Sequence, residues 1–531
     1  MATVNDETST KHDGLSNREP SGTLTPSTGT SHSQKLAEAD SEKALVENEN
    51  EQMIQAADLY IIIKIVTWDG VDDPKNPKNW SFKRKWGITV VVSLIAFMTG
   101  ISSAIIAPAS NVIAEKFDIH TSFRKQLNFS IIQLAYVIGP LVLAPLSEVY
   151  GRSFILQASN VFFLIFNFAN GFADTEGQFL AFRFLSGLGA CAPLTIGGGV
   201  LSDLWRPEEI GMAIGLYTLA PLLAPALGPL LGAWIVERST WKWCFFSITI
   251  FGVIVQTLVF FTLKETYGPR ILQRKAEKLR KETGNDQLRT AFELKDLRLI
   301  SIMRTSLVRV VILLTTQPVV IFLSVYFAMV YGIIYLMLSS FPSLWTTYYH
   351  ESVGIGGLNY IAIMIGLTIG AQGGGRIVDY VYKTLKARSP DNTGRPEFRV
   401  PLLFFSTFLV AAGLFMYGWS AETRTFWLSA DIGAAIFSVG AAMTFASIQT
   451  YIIDSYPLFA ASAIGATAVL RSLTGFGFPL FAPAMYNKLG YGWGNSVLGF
   501  AVLAVGYAGA LILWFFGHKL REASPYARGG G

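Results

Sequence analysis

From Trp86 onward the chain alternates between long apolar runs and shorter polar ones. Each apolar run holds about 20 residues, the length a helix needs to cross roughly 30 Å of hydrocarbon. Six of them fall at about 86–107, 126–146, 154–173, 179–201, 212–236 and 243–263. Six more fall at about 316–340, 356–374, 399–419, 426–450, 459–486 and 493–516. A backbone in lipid must satisfy its own hydrogen bonds, so each run is expected as an α-helix. The pattern predicts an all-α membrane protein with twelve transmembrane helices in two six-helix halves, residues 86–263 and 316–516. The polar remainder divides into an N-terminal region (1–85), a central loop (264–315) and a tail (517–531). The first part of the N-terminal region is rich in Ser, Thr, Glu and Asp and poor in large apolar residues, so it is expected to be disordered. The apolar run Leu59–Val66 is too short to span and is expected to lie along the membrane surface.

Composition supports lipid as the solvent. The chain is 51% hydrophobic and only 15% charged, where a soluble protein carries roughly 25% charged residues. There are two cysteines, Cys191 and Cys244, both in apolar stretches, so neither a disulfide framework nor a metal site is expected. No nucleotide-binding loop, metal motif or basic patch interleaved with aromatics is found. We therefore expect no cofactor, no metal, no nucleic-acid partner and no enzyme chemistry. No cleavable signal pattern opens the chain, so the first span is expected to direct it to the membrane.

The basic residues give an orientation. Lys83, Arg84 and Lys85, then Arg152, Arg206, a dense set in the central loop, Lys383, Lys386, Arg388, Arg395 and Arg399, and finally Lys519, Arg521 and Arg528 fall on one side if twelve spans alternate. The positive-inside rule makes that side cytoplasmic, with both termini and the central loop.

A short pattern repeats between the halves. Ala144-Pro145-Leu146-Ser147-Glu148 follows the second span, leading to Gly151-Arg152. Gly375-Arg376-Ile377-Val378-Asp379 follows the eighth. In each, a small residue precedes an acid by four positions, which suggests an internal duplication.

Three further stretches carry a family resemblance. They are Asp72-Asp73-Pro74-x-Asn76-Pro77-x-Asn79-Trp80-Ser81, then Lys264-Glu265-Thr266-Tyr267-Gly268-Pro269, and Tyr451-Ile452-Ile453-Asp454 through Arg471-Ser472 to Phe478-Pro479. With these the sequence resembles the major facilitator superfamily, and within it the fungal twelve-span drug:proton antiporters. The resemblance runs from about Trp68 to Phe516. It implies export of drugs, polyamines or fungal metabolites in exchange for protons, by alternating access of two halves around a central site.

The resemblance also assigns residues. The superfamily loop motif is G-x-x-x-D-R-x-G-R-R; Ala144, Glu148, Gly151 and Arg152 occupy its positions, while Val149 and Ser153 replace two of its bases. It implies that Glu148, Arg152 and Asp203, with Asp379 in the second half, form a gate on the cytoplasmic side, and Arg206 is expected in the same network. Gly215, Gly228, Pro229 and Gly232 match an antiporter signature, G-x8-G-x3-G-P-x2-G-G, with Ala224 and Ala233 at two glycine positions. Small residues there permit close helix approach. Arg183, inside the fourth span, is implied in proton coupling. An arginine there costs roughly 2.5–3.5 kcal/mol to insert, so it is expected to face protein, a water-filled cavity or the nearby interface. The first, second and seventh spans hold no Asp or Glu well inside them, so the proton carrier is not evident. For substrate contact the pore-lining candidates are Gln133, Tyr136, Tyr331, Tyr335, Gln372, Gln449 and Arg471; Asp431 and Asp454 are further charged candidates. The expected partners are a small-molecule substrate, protons and the lipid bilayer, with the protein a monomer in the plasma or vacuolar membrane. An importer on the same fold and a non-transporting sensor are the alternatives.

Overall fold

The structure is a computed structural model that describes residues 65–206, 209–293, 299–390, 392–457 and 459–527. The expected disordered tract, most of the Leu59–Val66 run and Arg528 lie outside the described residues. Of the two compact units, one contributes only Ile65 and Asp286–Leu288 among the described residues, with no helix. The other unit, Val66–Asn285 with the residues from Arg289 on, holds all the helices among the described residues.

The first half begins with α1 (Phe82–Ala104), a short α2 (Ser110–Lys116), α3 (Ser122–Tyr150), α4 (Arg152–Asn170), α5 (Glu176–Ala190), α6 (Ala192–Leu204), α7 (Ile210–Arg238) and α8 (Trp243–Thr262). Two connecting helices follow, α9 (Gly268–Thr283) and α10 (Leu299–Thr316). The second half holds α11 (Pro318–Ser343), α12 (Val353–Leu358), α13 (Tyr360–Arg388), α14 (Val400–Glu422), α15 (Trp427–Ser455) and α16 (Ala460–Glu522). α5 and α6 are one span broken at Cys191, where Pro193 withholds a backbone donor. α16 is two spans, because Gly490 (φ 71°, ψ 176°) interrupts it. Among the described residues eleven apolar stretches long enough to cross a membrane, one of them doubled, give the twelve expected spans.

The central segment is not a simple loop. Pro269 starts α9, Leu272 and Ala276 are its buried face, and left-handed Gly284 ends it. α10 runs on into the seventh span with only Gln317 between them. The dense charges hid this, because a helix with so narrow an apolar stripe reads as polar. The linker before α1 is also ordered. The Asp73 carboxylate accepts the Asp69 and Lys75 amides at 3.0 and 2.8 Å, which holds it below the usual carboxylate range. Asn79 donates to the Val71 and Asp73 carbonyls, and Trp80 to that of Pro74.

Between the halves, α3 packs against α10 and α16, and α7 against α12 and α13. At the end away from the basic loops this seam is shut: Gly357 packs on Ala233, and the Ser103 and Tyr335 hydroxyls lie 3.2 Å apart. Toward the basic end α7 is largely uncovered. Between Ile210 and Thr218 of α7 only Ala213 and Tyr217 are buried, and Met212 is 73% exposed.

Candidate functional site

The candidate residues fall into two groups. At the basic end, Gly151 turns the chain from α3 into α4 with φ 102°, a conformation suited to glycine. Glu265 caps the start of α4: its carboxylate accepts the Arg152 amide at 3.0 Å and the Thr266 and Tyr267 amides at 3.0 and 2.9 Å. The Arg152 side chain lies over Gly199 and donates from Nε to Asp203 at 2.7 Å and from Nη1 to Ser147 at 3.3 Å. The expected Glu148–Arg152 lock is therefore corrected. Glu148 feels the charges of Arg152 and Arg309, yet no ion pair reaches it within 4 Å among the described residues. Arg152, on the first turn of α4, points to the end of α6, where Asp203 is nearer. Arg206 leaves the network too, donating to Asn79 at 3.4 Å.

The second half has a matching cluster. Arg399 donates to Asp379 at 2.7 Å and to Asp454 at 3.0 Å, and lies 4.3 Å from the Tyr382 ring. Glu397 takes three hydrogen bonds from Arg521, at 2.7–3.1 Å. Arg399 and Glu265 are functional candidates whose roles sequence reasoning missed, although Glu265 stood in one of the stretches that carried the resemblance.

The two arginines within the spans behave differently. Arg183 is fully buried, so it faces protein. It donates to the Ser102 and Ser103 carbonyls at 2.9 and 3.2 Å. These lie in the last turn of α1, where carbonyls have no intrahelical partner, so a cation there satisfies both the hydrogen bonds and the helix dipole. Arg471, in contrast, sits on α16 at the seam. Its guanidinium is 5.3 Å from the Tyr331 ring and 5.8 Å from that of Phe327.

Gln133 and Tyr136 come to the same place from α3, and Tyr331 and Tyr335 from α11. The Tyr331 hydroxyl donates to Gln133 Oε1 at 3.5 Å across the seam. The Tyr331 and Tyr335 rings are 5.0 Å apart, and Phe129 lies 6.3 Å from Tyr335. Phe327 was not foreseen, although Phe327, Tyr331 and Tyr335 recur every four residues, the spacing of one helix face. Gln372 is exposed on α13 and Gln449 is half-buried on α15. Neither hydrogen-bonds to another described residue, and the structure does not bring them into this group.

A family model described as Major Facilitator Superfamily matches residues 92–479. The chain belongs to the major facilitator superfamily. The efflux pump vrtL of Penicillium aethiopicum is 48% identical, over 88% of this chain and 92% of that protein. The efflux pump radE of Floropilus chiversii is 38% identical, over 86% and 85%. Among solved structures, the xylose transporter XylE from E. coli in a partially occluded inward open conformation aligns with a TM-score of 0.58, at 17% identity, over 82% of this chain and 98% of that one.

As a member of this superfamily the protein is a multi-pass membrane transporter of small molecules and not an enzyme. The antiporter signature lies where α7 meets α1. Ala224 packs against Gly100, and a methyl at Gly228 would stand 2.6 Å from the Ile101 carbonyl oxygen. Gly232 is pressed equally against the Ile105 carbonyl, while Gly215 faces open space. Pro229 is buried between them, and with Pro221 and Pro225 it removes rungs from the α7 ladder. Asp431 is buried near the start of α15, and its Oδ1 has no partner among the described residues. A groove of about 540 Å³ between α1, α7 and α8 is lined by Met98, Ile105, Trp234 and Phe251, and none of the candidate substrate residues lines it. Among the described residues no cluster of His, Cys, Asp or Glu could hold a metal.

Proposed function

We propose that this transporter exports small organic molecules, such as drugs, toxins or metabolites, in exchange for protons. The halves, residues 86–263 and 316–516, rock about the seam, so that the group around Tyr331 meets one side of the membrane and then the other. The basic end is cytoplasmic, and the plasma membrane is the address. Arg152 with Asp203, and Arg399 with Asp379 and Asp454, form the gate at that end; Glu148 acts on it through its field. Arg183 acts in coupling through its hold on α1. The observation that carries the reading is the α1–α7 contact. Gly228 and Gly232 bring the two backbones together with no room for a side chain, in a chain whose relatives are named efflux pumps. Such a contact leaves no lateral leak path, which exchange requires.

The test is transport in sealed inside-out vesicles, with a panel of drugs, polyamines and fungal metabolites. Accumulation driven by an imposed pH gradient and collapsed by a protonophore supports antiport. Equilibration that ignores the gradient would show a facilitator instead, and gradient-driven movement out of these vesicles would show an importer.

A further inference from the structure

The seam group holds hydrogen-bond donors without acceptors. Arg471 Nε is buried and makes no hydrogen bond among the described residues. Gln133 Nε2, on α3 of the other half, is buried and unpartnered too, since Tyr331 engages only the amide oxygen. The Cβ position at Gly475, one turn beyond Arg471, would meet both the Tyr331 ring and Gln133 Oε1, so the three belong to one locus. Arg471 as a whole is half-buried, and a guanidinium whose inner nitrogen is cut off from water among aromatic rings favours a counter-charge or a ligand that supplies one.

Among the described residues no carboxylate pairs with Arg471. Glu148, Asp203, Asp379 and Asp454 stand at the basic end of their spans, and Glu237 and Glu422 at the other. Asp431, one turn into α15, acts on Glu351 and Tyr349 at that far end and not on Arg471. Arg183, the further arginine buried within a span, has the same sign as Arg471. Around Arg471 the walls are aromatic: Phe327, Tyr331 and Tyr335, with Phe445 4.5 Å from Phe327.

We propose that this site binds aromatic organic anions, carboxylates or phenolates, with the negative oxygen on Arg471 and Gln133 and the ring against Tyr331, and that it rejects organic cations, polyamines included. The inference narrows the substrate class of the transport reading and rests on that reading only for the direction of movement. A like-charged ligand placed beside Arg471 would be repelled in a medium where screening is weak. A neutral ligand would leave the guanidinium unpaired.

The experiment is isothermal titration of the purified full-length protein with three probes of one shape: 2-naphthoate, 2-naphthylmethanol and 2-naphthylmethylammonium. 2-Naphthoate is expected to bind at least ~10-fold more tightly than the ammonium, the scale of one charge-assisted hydrogen bond. Arg471→Gln should lose that preference, Arg471→Lys should keep part of it, and Gln133→Leu should weaken naphthoate by a few-fold. Equal binding of the ammonium, undiminished naphthoate binding by Arg471→Gln, or binding of none of the three by folded protein would overturn the proposal. If Arg471→Gln does not fold, Arg471→Lys and Gln133→Leu carry the test. Flux in the vesicle assay separates the two readings. Charge-selective binding without pH-driven flux removes antiport and leaves the anion site. pH-driven flux without charge preference does the reverse.

Discussion

The two ends of the molecule are held by different physics. Away from the basic loops the helices meet through small residues: Gly228 and Gly232 against the α1 backbone, and Gly357 against Ala233. Contacts of this kind are short-ranged and all-or-none, since one added methyl has nowhere to go. At the basic end the helices are tied by separate charges: Arg152 to Asp203, Arg399 to Asp379 and Asp454, and Arg521 to Glu397. These reach farther, tolerate water and break one at a time. The rocking proposed above would strain the two ends differently: the charged ties can be exchanged one at a time, while the packed contact between Gly357 and Ala233 must separate as a unit.

The largest expected effects come from crowding the packed end. Gly228→Val or Gly232→Val puts a branched side chain against α1 carbonyls and should cost about 1–3 kcal/mol or more, read as a lower melting temperature in detergent or loss of the monodisperse peak. Gly215→Ala, on the same helix but in open space, should leave stability unchanged or raise it by up to about 1 kcal/mol. Equal damage from both would break the comparison. Arg183→Met comes next. It strips two hydrogen bonds from the end of α1 and should cost about 1–3 kcal/mol. A wild-type melting temperature in Arg183→Met would remove the capping role.

Charge deletions at the basic end should run from comparable to milder. Arg399→Gln frees two aspartates at once and should cost about 1–3 kcal/mol. Asp379→Asn removes a partner whose side chain is 65% exposed and should cost less than about 1 kcal/mol. The same variants should shift the balance of inward and outward states, readable by cross-linking cysteines placed across the seam. An Asp379→Asn effect as large as that of Arg399→Gln would mean that the exposed pair is the main tie.

What the sequence made legible follows the same division. The twelve spans could be read because lipid demands long apolar runs, and the break at Gly490 fell between two of them. The close contact of Gly228 and Gly232 with α1 could be read because close packing writes small residues at fixed intervals, although Gly215 in the same pattern faces open space. Charge partners could not be read so well. Glu148 is four residues from Arg152 and looked like its partner, yet Asp203, far along the chain, holds it. No spacing reveals that Arg183 meets the last turn of α1, because that depends on where another helix ends. The α9 stripe of Leu272 and Ala276 was visible in principle but was masked by the charges around it.

The smallest predicted effect concerns Glu351, in the short turn before α12. Burial pushes its carboxyl above the usual range, and the amide of Asn359, which donates to it at 2.8 Å, only partly offsets that. An acid whose pKa is higher folded than unfolded has its charged form disfavoured by folding. Stability therefore falls as pH rises from the unfolded value to the folded one, and the loss persists above both. Below both values the group is neutral in either state and contributes nothing to the slope. Glu351→Gln keeps an acceptor for Asn359 and removes the charge. It should match the wild type near pH 4 and be as stable or slightly more stable at pH 7, with melting temperature measured at both. A variant less stable at pH 7 would show that the ionised carboxylate has a favourable partner. The far end would then be held by charge as well as by packing, and the contrast with the basic end would shrink accordingly.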